Sequence, residues 1–89
     1  MIDEFRIRSQ VAAIEAAPRS PREKAKMIFR LARRLRTAAL CLAVLGQRSF
    51  AEGDALRGAR LTEAKDRLVQ ARADVRGRVR EILDGETRA

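Results

Sequence analysis

Histidine, tryptophan and tyrosine are absent from these 89 residues, and cysteine occurs once. Without histidine there is no imidazole for acid–base catalysis, no Cys-His nucleophile pair and no ordinary zinc site. A single cysteine, Cys41, forbids an internal disulfide and fits a cytoplasmic chain. It falls in an apolar run and reads as a small buried hydrophobe. The aromatics are Phe5, Phe29 and Phe50 only, too few for a base-stacking platform. The five glycines are scattered, so no glycine-rich phosphate loop exists. The longest apolar run, Ala38 to Leu45, has eight residues. A membrane span needs about 20. The N-terminal MIDEFRIRSQ is charged and has no signal-peptide core.

What remains is a chain 46% hydrophobic and 36% charged, with two prolines and a net charge of +8. That is too apolar for disorder, and it reads as one small all-α domain over residues 1–89. Ser20-Pro21-Arg22-Glu23 combines a capping serine, a proline suited to the first helical position and a glutamate that can complete a capping box. Downstream, Ile28, Leu31, Leu35, Ala38, Leu42 and Leu45 step by three and four as a heptad stripe, with Ala32, Ala39 and Gly46 beside it. Leu61, Leu68, Val75 and Ile82 recur every seven residues, with Ala64 and Ala71 between them. Gly58 and Gly77 weaken that second stripe by roughly 1 kcal/mol each relative to alanine. Ile7, Val11 and Ile14 mark a shorter first helix, which Pro18 ends. Three helices are expected, at about residues 3–17, 21–47 and 54–84. Ser49-Phe50-Ala51-Glu52 is a second capping-box candidate, and Gly53-Asp54 competes with it as the turn, with Asp54 as the cap. A turn is expected between Gln47 and Gly53, and Gly85 is expected to stop the last helix. The architecture is a long antiparallel hairpin with a short N-terminal helix, closed as a three-helix bundle or as a dimeric four-helix-type bundle. The short helix is about half as long as its neighbours, which leaves part of the stripe bare and points to a homodimer or a protein partner.

Charge is concentrated. Arg19 to Arg36 holds eight basic residues and one acid, a net +7 of the chain's +8. On a wheel of ~100° per residue, Arg22, Lys26, Arg30, Arg33, Arg34 and Arg36 gather opposite the apolar stripe. They form a candidate face for phosphates or for an acidic protein surface. Arginine outnumbers lysine seventeen to three, which suits bidentate oxyanion contacts. The third helix is nearly balanced and reads as solvated surface with i,i+4 support, as in Glu63–Arg67. Further along the second helix, Leu40 and Val44 occupy the side held earlier by the basic residues, with Phe29 flanking. The helix becomes apolar all round there. Either helix one covers that patch, or it is a groove for another helix, rimmed by arginines. Candidate partner-binding residues are Ile28, Phe29, Leu31, Leu35, Leu40, Leu42, Val44 and Leu45. No catalytic or metal residue, cofactor or small-molecule substrate is expected. Asp54, Glu63, Asp66 and Asp74 form neither a Glu-x-x-His motif nor a carboxylate pair across helices.

The stretches SPREKAKMIFRLARRLRTAA, AEGD and RLTEAKDRLVQARADV together resemble the middle of the flagellin export chaperone family. Met27-Ile28-Phe29 stands at that family's Met-Leu-Tyr-like triplet and Gly53-Asp54 at its turn, and the likeness spans about Ser20 to Val75. No residues remain for the family's other helices, so a four-helix bundle would take a second chain. The resemblance implies a chaperone that shields an aggregation-prone helical segment of a client. Ile28, Phe29, Leu40 and Val44 would be its client contacts. The reading from a different class is a nucleic-acid-associated protein that holds phosphates on the arginine face.

Overall fold

The computed structural model describes the backbone of residues 4–88 and the side chains of residues 4–85. Three helices follow one another: α1 Glu4–Ala16, α2 Pro21–Ala51 and α3 Ala55–Arg88. There is no strand among the described residues. The expected start of the first helix, residue 3, lies outside the described residues.

Ser20 begins α2 as anticipated. Its backbone is extended, its Oγ accepts a hydrogen bond of 3.2 Å from the Glu23 amide, and Pro21 occupies the first turn. The Glu23 carboxylate lies 3.9 Å from Arg19, so the cap is made by one side-chain bond. The end of α2 corrects the expected turn at Gln47 to Gly53. Nothing between Gln47 and Phe50 breaks a helix, and Ser49 is buried in the seam rather than capping. The helix runs on until Gly53 takes a left-handed φ of 85°. The Gly53 amide then donates to Phe50 O and the Asp54 amide to Ser49 O, at 3.0 and 2.9 Å. This is a Schellman closure. Asp54 at once caps α3, its Oδ1 accepting from the Arg57 amide at 3.0 Å. At the far end, Gly85 does not stop α3, because its backbone stays right-handed and the helix continues to Arg88.

The hairpin of α2 and α3 is the main packing unit. Its seam differs from the expected stripe. Buried residues on α2 are Ala25, Ile28, Leu31, Ala32, Leu35, Ala39, Gly46 and Ser49. Small residues therefore recur every seven positions (Ala25, Ala32, Ala39, Gly46) within the seam, not beside it. They let the two helices approach closely. A β-carbon at Gly46 would stand 3.4 Å from Thr62 Oγ1 and 3.6 Å from the Gly58 carbonyl oxygen. Ile28 and Leu35 are the largest fully enclosed side chains, with Leu68, Ala71 and Val75 among those facing them from α3.

Helix α1 lies along one side of this pair, over the N-terminal half of α2 and the C-terminal half of α3. Ile7 and Val11 join the core, and Ile14 packs at its edge. Two polar contacts fasten the end of α1. Lys24 Nζ donates to the Glu15 carbonyl oxygen at 2.6 Å, and Arg78 Nε donates to the Glu15 carboxylate at 2.8 Å. The Glu15 hydrogen bond, and then its charge, raise the Arg78 pKa above its ordinary value.

Thirteen residues of α1 reach about 20 Å, against roughly 46 Å for α2, at ~1.5 Å per residue. The consequence shows on one flank of α2. Leu31, Ala38 and Leu45 share that flank at seven-residue steps. Leu31 is 5% exposed, Ala38 half-buried and Leu45 41% exposed, because α1 runs out beneath them. The molecule is elongated, 55 × 20 × 13 Å, with a radius of gyration of 15.8 Å. A compact chain of this length would have about 12 Å. Its accessible surface of 6859 Å² likewise exceeds the roughly 5,200 Å² of a compact 10.0 kDa monomer.

Candidate binding groove

Two helices in contact leave a furrow on each side. One furrow is overlaid by α1, which leaves a cavity between itself and α3. Along that contact stand Glu4, Glu15 and Asp74 with Arg8 and Arg78, charges of both signs around Ile7, Val11 and Val75. The opposite furrow has no helix over it. Its best-formed stretch has an apolar floor of Ala25, Phe29, Val79 and Leu83, rimmed by Arg22, Lys26, Arg30 and Arg33. Among the described residues, no carboxylate lines it.

Helical phase extends the groove toward the turn. At ~100° per residue, Arg36 on α2 and Val69, Arg72 and Arg76 on α3 fall on the same side. The acids of α3 on the other side, Asp74 and Glu81, are seven residues apart and meet α1 or Arg78. Among the described residues, no ion pair involves Lys26, Arg30, Arg33, Arg34, Arg36, Arg72 or Arg76. Arg72 is half-buried, and its Nε is shut from solvent without a hydrogen-bond partner. A desolvated donor of that kind is costly until an acceptor reaches it.

The structure divides the candidate residues. Ile28, Leu31 and Leu35 are 0%, 5% and 0% exposed, held by α1 and α3, so their apolar surface is already spent inside the chain. Leu42 is half-buried against the same core. Phe29, Leu40, Val44 and Leu45 are exposed, between 41% and 63%. The six candidate basic residues on α2 are all exposed, with Arg22, Lys26, Arg30 and Arg33 on the groove and Arg34 on the far side of the helix by phase. Helix α1 does not cover the Leu40–Val44 patch, since it lies against the other half of α2. For the same reason Cys41 is exposed, correcting the expectation of a buried thiol.

Sequence reasoning missed the α3 wall. Arg72, Arg76, Val79 and Leu83 step by four, three and four, which is helical spacing for one face. The signal was hidden because α3's charges were counted together, and they nearly cancel. Sorted by phase, Arg72 and Arg76 fall on a side away from Asp74 and Glu81.

Three of the four carboxylates weighed for catalysis have structural partners. Asp54 caps α3, Asp66 sits 3.0 Å from Lys65, and Asp74 accepts from Gln70 Nε2 at 3.0 Å. No group of three or more acids or cysteines that could hold a metal occurs among the described residues. Among the described residues, no helix is long and apolar enough to cross a membrane. Compared with protein-family models, curated proteins and solved structures, the chain matches none of them.

Proposed function

We propose that this chain is a non-enzymatic cytoplasmic interaction protein, of adaptor or chaperone type, and that it works through the open furrow between α2 and α3. One observation carries the reading. The furrow opposite α1 sets exposed apolar side chains beside Lys26, Arg30 and Arg33, which enter no ion pair among the described residues, whereas the other furrow is overlaid by α1 and lined by charges of both signs. Apolar anchors with a basic rim fit helix-in-groove recognition, in which the anchors hold the partner and the rim orients it. The likeness to flagellin export chaperones agrees in kind. Within it, Phe29, Leu40 and Val44 remain accessible for a client, while Ile28 is enclosed.

The test is native mass spectrometry of the protein drawn from its own cells at low salt, wild type beside Phe29→Ser. Phe29 is half-exposed, so the change leaves the fold intact, which circular dichroism verifies. A stoichiometric protein partner on the wild type that is missing from the variant supports the reading. A partner retained by the variant refutes it. A second reading, phosphate binding by nucleic acid, is favoured by the unpaired cations alone. It predicts affinity falling with salt, at a log–log slope of about 0.9 per phosphate contact on duplex DNA. With no tryptophan or tyrosine in the chain, co-eluting nucleic acid shows directly at 260 nm.

A further inference from the structure

The furrow has an order along its length that specifies its occupant. Near the free end of the hairpin lies one apolar station, Phe29 with Val79 and Leu83. Near the turn lies another, Leu40, which the antiparallel register of Gly46 against Gly58 and Thr62 sets within about one turn of Val69 across the groove. Leu40 is 57% and Val69 52% exposed. Between the stations stand Arg33 and Arg36 from one wall and Arg72 and Arg76 from the other. The stations are eleven residues apart on α2, three turns, or about 16 Å at ~1.5 Å per residue.

We infer that the occupant is an acidic amphipathic helix of another protein, with apolar residues at positions i and i+11 and carboxylates at i+4 and i+7. Those four positions fall within about 60° of one another on a helix, so one face presents all of them to the groove. The central carboxylates meet the guanidinium ends of the four arginines. The pattern reads the same in both chain directions, so the groove selects spacing rather than polarity. Nucleic acid would match the centre and leave both apolar stations unsatisfied. A second copy of this chain does not qualify. Its acid pairs at that spacing are Glu63/Asp66 and Glu81/Asp84, flanked by Ala59 and Gln70 or by Gly77 and Arg88, never by two large apolar residues. Two copies would also bring together chains of net charge +8.

This inference rests on the furrow being the working surface, and its test separates the two. A fluorescein-labelled helical peptide carrying leucine at i and i+11 and glutamate at i+4 and i+7 is titrated with the intact protein by anisotropy. Its isomer with the second leucine moved to i+9, onto the opposite face, is the control. Expected are saturable binding to the first peptide and about tenfold weaker binding to the isomer. The same loss is expected on Phe29→Ser and on Leu40→Ser. Arg33→Glu should lose the glutamate peptide and recover binding to one with lysine at the facing position. Equal affinity for both isomers, tighter binding of a duplex DNA of equal charge, or no binding of either peptide overturns the inference. Loss of the cellular partner in Phe29→Ser, alongside such a result, would keep the furrow as the working surface and discard only this occupant.

Discussion

The two sides of the α2/α3 hairpin are built on the same scaffold and finished differently. On the covered side, α1 brings Ile7 and Val11 to the core and Glu15 to Arg78. On the other, Phe29, Leu40 and Val69 stay half out of the surface, and Lys26, Arg30 and Arg33 enter no ion pair among the described residues. Burial and charge balance thus change together across one pair of helices. The covered side shows what a helix laid along such a furrow does: Ile7 and Val11 are buried and Glu15 meets Arg78, although a cavity stays between α1 and α3. The open side has the same needs and nothing meeting them.

The contrast can be broken most severely from within. Leu35→Ala should cost about 2–5 kcal/mol, since it empties a fully enclosed site between α1, α2 and α3. Leu40→Ala, the same deletion on the open side, should stay within about 0.5 kcal/mol. Urea unfolding followed by circular dichroism compares them, and equal costs would mean that the open side is covered in solution. Next in size is Val11→Ala on α1, expected to cost about 1–3 kcal/mol in the same measurement. It should loosen α1 and raise hydrogen exchange along that helix before the hairpin itself opens. Glu15→Gln removes a largely solvated ion pair and should cost less than about 1 kcal/mol. The smallest change has the opposite sign. Arg33→Glu with Arg72→Glu gives the open side the acids it lacks. Relief of like-charge repulsion should raise the melting temperature slightly, while affinity for acidic ligands falls. Added salt should stabilise the wild type by the same screening and the double variant less. Finally, Cys41 should react with a thiol reagent in the native protein at close to the rate of a free thiol, at all protein concentrations. Protection growing with concentration would show two chains meeting on the Leu40–Leu45 face.

How far the fold was legible in the sequence depended on which force decided each part. Helix starts and the core centre are local matters of capping and periodicity, so Ser20, Asp54, Ile28, Leu35, Leu68 and Val75 stand where their spacing put them. The end of α2 was misjudged because Ser49 resembles a cap. The decision fell to Gly53, the residue in the sequence here that most readily takes the left-handed φ a Schellman closure needs. The seam shifted toward Ala32, Ala39 and Gly46 because the distance between two helices is a tertiary quantity that a single-helix wheel does not contain. Cys41 was misplaced for a related reason. Whether an all-apolar turn is buried depends on how far a neighbour reaches, and α1 stops short. Half of the groove was visible, as the arginine stripe on α2. Its other wall required knowing which phase of α3 faces it.

The small-residue seam has a further consequence. Ala25, Ala32, Ala39 and Gly46 set how near the two long axes lie, and that separation is the width of both furrows at once. A bulkier residue at Ala39 would spread the axes, lift α1 from its seat and re-gauge the open furrow in a single movement. The two sides therefore cannot be tuned separately by their common wall. Any drift in the seam is felt as a change of calibre on the side that holds the molecule together and on the side that faces outward.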